Sequence, residues 1–182
     1  MRIQNAIGRN QVPQLPILRS GDFVAPGTGT GTVTPSADVL HFIPIFVRNP
    51  MTADRIGIEV TTGGDAGSVC RLGIYRDNGQ IYPGTLLVDA GTVSTAGIAA
   101  LTITISQALS TGCWWLAAAT QTASANPQYR TSTGQPYTIP SGSLSATGHS
   151  GRSQTGVTGA LPATAAPTTV VANCPRPQLR LA

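Results

Sequence analysis

Arg55-Ile56-Gly57-Ile58-Glu59-Val60 alternates without a break, which puts Ile56, Ile58 and Val60 on one side of an extended chain and leaves the other side polar or bare. A period of two belongs to a pleated ribbon with one packed face and one wet face, whereas an amphipathic helix repeats every 3.6 residues. The pattern returns at residues 70–74, at 101–105 and around Trp115, separated by Gly, Asn, Asp and Ser-Thr-Gly corners. Short alternating runs separated by such corners predict stacked antiparallel sheets, an all-β, jelly-roll-like sandwich.

Composition agrees with strands and argues against helices. Only 10% of the residues are charged, against about 25% in an ordinary soluble domain. All eleven basic residues are Arg, so the Glu/Lys pairs that line exposed helices are missing. The seven acids all lie between Asp22 and Asp89, and the 93 residues beyond carry only Arg130, Arg152, Arg176 and Arg180. These four are scattered along the chain rather than clustered, which argues against a phosphate-binding stripe and so against nucleic acid as a partner. A chain of 182 residues fits one domain and, burying roughly 70% of its unfolded surface, needs no disulfide or metal to fold.

Cys70, Cys113 and Cys174 are an odd count without CxxC spacing. Cys70 and Cys113 fall in apolar runs, where a thiol serves as a small hydrophobe, so free thiols are expected. The first residues lack the apolar centre of a signal peptide, and no run approaches the ~18 apolar residues of a membrane span. Folding in a reducing cytoplasm and no membrane partner follow as expectations.

Residues 1–22 read as an extended arm: Pro13 and Pro16 bar a helix or central strand, and Arg2, Arg9 and Arg19 are its basic residues. Arginines on a proline-stiffened segment suit bidentate contacts to a partner's carboxylates or carbonyls, the other reading being a frayed tail. Residues 23–182 form the single sandwich domain. Within it, Pro44 places the apolar run at 39–47 on an edge or at a break, and Trp115 is the candidate to fill the gap between two sheets. Trp114 then faces the other way, exposed or covered by a neighbouring subunit. Residues 121–172 are rich in Ser, Thr, Gly, Ala and Pro and read as a long loop segment, ordered by binding or assembly. Residues 174–181 alternate again as a last strand.

The wording of Asp54-Arg55-Ile56-Gly57-Ile58-Glu59-Val60, of Ser68-Val69-Cys70-Arg71-Leu72-Gly73-Ile74-Tyr75 and of Pro83-Gly84-Thr85-Leu86-Leu87-Val88-Asp89 resembles a β-sandwich domain of tailed-bacteriophage virion proteins. Tail fibres, minor tail proteins and small capsid-surface proteins carry it. The resemblance covers residues 42–120, a little over half the chain, and departs from the family pattern at Cys113-Trp114. It implies a structural protein on a virion exterior, often trimeric, with no catalytic motif. A short chain with an arm then suggests a capsid decoration protein on the major capsid protein; the alternative is a tail fibre or minor tail component that binds host surface glycan.

Chemical sites are weakly signalled. Asp65, Asp77 and Asp89 adjoin turn residues, where Asp caps its own backbone, so paired-carboxylate hydrolysis is disfavoured. The glycines at 27–31 lack the spacing and following helix of a phosphate loop, and His149-Ser150-Gly151 lacks the frame of a nucleophile elbow. His41 and His149 have no thiolate or carboxylate companions for a metal, and His41 reads as a strand residue with one satisfied nitrogen. No cofactor and no enzyme is the expectation. Tyr82, Tyr129 and Tyr137, with Trp114, are the aromatic candidates for glycan stacking or subunit contact.

Overall fold

A computed structural model describes residues 18–27, 29–121, 124–132, 139 and 150–182. Described residues form strands and turns only. β1 (Phe23–Val24), β2 (Thr32–Val33), β3 (Val39–Val47) and β4 (Met51–Thr62) open the chain. β5 (Val69–Asp77), β6 (Pro83–Ser94), β7 (Ala99–Leu109) and β8 (Gly112–Gln121) follow as long strands. β9 (Gln128–Ser132), β10 (Gly151–Thr155), β11 (Thr169–Val171), β12 (Cys174–Pro175) and β13 (Gln178–Leu181) complete it.

These strands make two antiparallel sheets packed face to face. In sheet I, β7 lines one edge of β4, while β13 and then β9 share the opposite edge. β1 adds to β13, and β2 and β12 add to β9. Sheet II runs β11-β10-β3-β8-β5-β6. Its four long strands β3-β8-β5-β6 oppose β1-β13-β4-β7, with the chain crossing between sheets from β3 to β4, β4 to β5, β6 to β7 and β7 to β8. That is a jelly-roll-like antiparallel sandwich, as the alternation predicts. Pro44 sits where the prediction puts it, since β10 pairs with β3 only as far as Phe42 and leaves that side of the strand unladdered beyond.

The core has two layers. Ile56, Ile58 and Val60 of β4 meet Ile45, Leu72, Ile74 and Leu116 between the sheets. A second cluster lies on the far face of sheet II, where Leu40, Phe42, Tyr75, Trp115 and Ala117 are covered by Val157, Leu161 and Ala165. Residues 157–167 thus form an irregular strap across that face, fastened by Tyr75 Oη donating to Pro162 O (2.8 Å) and Tyr82 Oη donating to Pro167 O.

The strap reverses the expected roles of the two tryptophans. Trp114, 7% exposed, points between the sheets with Leu116 and Ala118, and its Nε1 donates to Ser110 O at 2.9 Å. Trp115 is fully buried on the other face, beneath the strap. Neither is an exposed subunit contact. The predicted loop segment at 121–172 also holds more order than expected, since β9, β10, β11 and the strap all fall in it.

Gly73 marks where strap and sheet touch most closely. A Cβ there would meet Leu161 Cδ1 and lie 2.7 Å from Val88 O, whereas one on Gly97 would meet nothing within 4 Å. Overpacking of this kind costs about 1–3 kcal/mol. Gly73→Ala is therefore expected to lower the urea midpoint by that equivalent, with Gly97→Ala leaving it unchanged or slightly raised.

Candidate functional site

Acidic side chains are the first place to look for chemistry, and the fold commits six of the seven. Asp77 Oδ2 accepts Gly79 N (2.7 Å) and Ile81 N (3.2 Å), while its Oδ1 accepts Tyr82 N and Trp115 Nε1, both at 2.8 Å. One carboxylate thus ties the β5–β6 turn, where Gly79 has φ +93°, to the largest buried ring. Asp65 caps Ser124 N and Asp22 caps Arg19 N, each at 3.0 Å. Asp89 takes Arg71 Nε at 2.9 Å together with Leu161 N and Gly91 N. Burial raises its pKa, but these donors outweigh burial and hold it below the usual carboxylate range.

Asp54 and Glu59 belong to a charged surface that the linear sequence conceals. Arg180 binds both oxygens of Asp54, and Arg130 binds both oxygens of Glu59 at 2.7 and 3.1 Å. The hydrogen bonds from these guanidinium groups hold both acids below their usual pKa. A register shift between Ala53 and Arg55 turns Asp54 and Arg55 outward together, and Arg55 Nη1 reaches Thr104 Oγ1 at 3.3 Å. The outer face of sheet I therefore gathers Arg55, Arg130, Arg176 and Arg180 around two acids. Three of the four arginines that look scattered along the sequence are brought together by β9, β12 and β13. The glycine-rich segment contributes carbonyls rather than amides: Gly29 O accepts Arg176 Nη1 (3.2 Å) and Thr30 O accepts Arg130 Nη1 (2.8 Å). Its role here is opposite to that of a phosphate loop, which presents N–H groups.

The predicted aromatic site does not assemble. Tyr129 is fully buried in β9, its hydroxyl hydrogen-bonded to Thr120 Oγ1 at 3.1 Å, so it cannot stack on a glycan. Tyr82 anchors the strap and lies under the Arg152 guanidinium, 4.3 Å from its ring centroid. Trp114 has Arg76 at 5.5 Å over its ring. Tyr137, His149, Arg2 and Arg9 lie outside the described residues. Arg19 is exposed, in a turn that Gly21 N fastens to Leu181 O (2.9 Å). Just beside it, Leu18, Val24, Pro26, Ile45, Phe46 and Met51 line an apolar groove of about 420 Å³.

The three cysteines are free thiols. Burial pushes Cys70 and Cys113 up to about 12 and raises Cys174 as well, so none is a thiolate nucleophile at neutral pH. Among the described residues no group of three or more His, Cys, Asp or Glu gathers to hold a metal. No protein-family model matches the chain, and comparison with curated proteins finds no match.

His41 departs from expectation. It is 7% exposed in β3, opposite Ala118 and Ser153, and neither ring nitrogen has a hydrogen-bond partner among the described residues. Burial lowers its pKa from 6.5 to about 4. The unfolded chain takes up this proton near pH 6.5 and the folded chain near 4, so folded stability falls as the pH drops through that interval. The loss reaches about 3 kcal/mol by pH 4. Thermal unfolding of His41→Leu is expected to lack this component of the acid dependence and, with two unpartnered buried nitrogens removed, to be at least as stable as the parent above pH 7.

Proposed function

We propose that this chain is a non-enzymatic structural protein of a bacteriophage virion, a decoration protein that binds the capsid exterior as a homotrimer after assembly in the host cytoplasm. The observation that carries the reading is the commitment of the carboxylates: Asp54, Glu59, Asp77 and Asp89 give both oxygens to side chains and backbone amides of the fold itself, and Asp65 gives one to Ser124 N. Groups arranged in that way hold a shell rigid and leave it to act by adhesion. The resemblance of residues 42–120 to virion β-sandwich domains supplies the setting.

What the surface offers fits such a role. Arg55 and Arg176, which lie on the outer face of sheet I outside its two ion pairs, match a carboxylate-bearing neighbour, and Arg2, Arg9 and Arg19 add three more on the arm. Where the arm meets the domain, the apolar groove supplies a desolvated contact of the kind that anchors subunits. The alternative, a tail fibre or minor tail component recognising host glycan, loses Tyr129 to the core and Tyr82 to the strap, which leaves Tyr137 as its aromatic candidate.

Removing residues 2–17 keeps the Arg19 to Asp22 turn and tests the arm. Retention on purified empty heads is expected to weaken by at least about tenfold, the loss of one good anchor, with the melting temperature unchanged. Retention at the parent level would overturn arm docking. Binding to host cells by a protein that ignores heads would transfer the function to the tail.

A further inference from the structure

An outermost strand leaves alternate N–H and C=O groups unpaired, and β proteins protect such edges by keeping them short, bulged, charged or covered. Five of the six outermost described strands follow that rule. β1, β2 and β12 are two residues long and β11 three. β6 shifts register three times against β5, and its start is covered by the strap, with Leu86 N bonded to Ala163 O and Ala165 N to Gly84 O.

β7 is long and uncharged, and its one irregularity is a register shift against β4 between Thr104 and Gln107, beyond residues 101–104. It runs eleven residues and pairs with β4 on one side. No second described strand pairs with it, and the described side-chain bond to its backbone is Gln107 Nε2 donating to Ala108 O (2.7 Å), near its end. It contains no proline, and the chain carries no Arg, Asp, Glu or His from residue 90 to residue 129. Beside its first residue stands Ile98, 73% exposed, the most exposed of the large apolar side chains described.

We propose that β7 is the edge through which a second copy of this chain joins, β7 pairing antiparallel with β7 about a two-fold axis. The central residues Leu101-Thr102-Ile103-Thr104-Ile105 read almost the same in either direction. With Ile103 on the axis, Thr102 of one copy faces Thr104 of the other, and Leu101 faces Ile105. Both strands then keep their faces, since side chains alternate with a period of two. Leu101, Ile103 and Ile105, already packed against the inter-sheet core, extend one apolar layer across the joint. The threonines form cross-strand pairs on the outer face, and the contact is self-complementary, as a two-fold interface must be.

Charge does not oppose the joint. Arg55 lies next to Thr104 on β4, so the two Arg55 side chains would be three strand spacings apart, about 14 Å, beyond the Debye length of about 8–10 Å in ordinary salt. This two-fold contact is separate from the three-fold one of the proposed trimer and does not rest on the virion reading. Head binding and β7 pairing can each fail alone.

Sedimentation of the full chain across a concentration series tests the joint, with two variants at exposed Thr102 and Thr104. The parent is expected to show a concentration-dependent two-fold species. Thr102→Lys with Thr104→Lys sets Lys against Lys across the axis and is expected to raise the dissociation constant at least about tenfold. Thr102→Lys with Thr104→Glu sets Lys against Glu, keeps the same new lysine as a folding control, and is expected to restore association. A parent that stays monomeric at every concentration overturns the proposal, and so does association that Lys/Lys leaves unchanged. A monomer whose outward β7 amides resist hydrogen exchange would assign the edge to residues 1–17 of its own chain, and would also overturn it.

Discussion

Sheet II has to be covered twice, and most of the architecture answers that requirement. β8 is buried from Trp114 to Gln121 without alternation, so one face of the strand meets sheet I and the other needs a separate lid. The strap at residues 157–167 is that lid, and its fastenings reach back into the sheet: Tyr75 and Tyr82 donate to its carbonyls, and Asp89 accepts Leu161 N. Asp77 completes the arrangement from below by holding Trp115 Nε1 and the β5–β6 turn with one carboxylate. Without this second layer, Leu40, Phe42, Tyr75 and Trp115 would face water, at roughly 1.5–3 kcal/mol for each large side chain.

Where alternation is clean, fold follows directly from sequence. β4 and β7 each have one packed apolar face, and their hydrophobic periods place them without reference to the rest of the chain. The β8 region is where that reading fails. A run apolar on every residue has no intrinsic inside, so choosing between Trp114 and Trp115 needs to know that a low-complexity segment forty residues on returns to cover one face. Leu161 and Val157, isolated among Gly, Ala, Pro and Thr, are the signal in that segment, weak because a strap packs through few side chains and has no period. His41 shows the same limitation at smaller scale, since nothing in its neighbours along the chain reveals that both nitrogens go without partners among the described residues.

The charged surface is illegible for a different reason. Linear spacing separates Arg55, Arg130, Arg176 and Arg180 widely, but antiparallel pairing of β4 with β9 and β13 brings them to one face, Arg180 opposite Arg55 and Arg130 at Glu59. A sandwich with few charges can concentrate them in this way on one face while a forty-residue stretch including β7 and β8 remains neutral. The two kinds of surface divide the described residues: one face carries ion pairs that tie its own strands together, and one long uncharged strand, β7, pairs on one side with β4.

The jelly-roll-like connectivity also dictates how this chain must emerge from a ribosome. β4 receives its partner β13 only when residues 178–181 have been made, and β8 receives its lid only with residues 157–165. Until then a nascent chain carries a bare strand edge and a bare aromatic face, closures of more than a hundred and about forty residues in sequence separation. Long-range pairings of this kind form slowly and leave growing chains open to mispairing. Low charge adds little repulsion to oppose such mispairing, so this side of the sandwich is protected only once β13 has paired with β4.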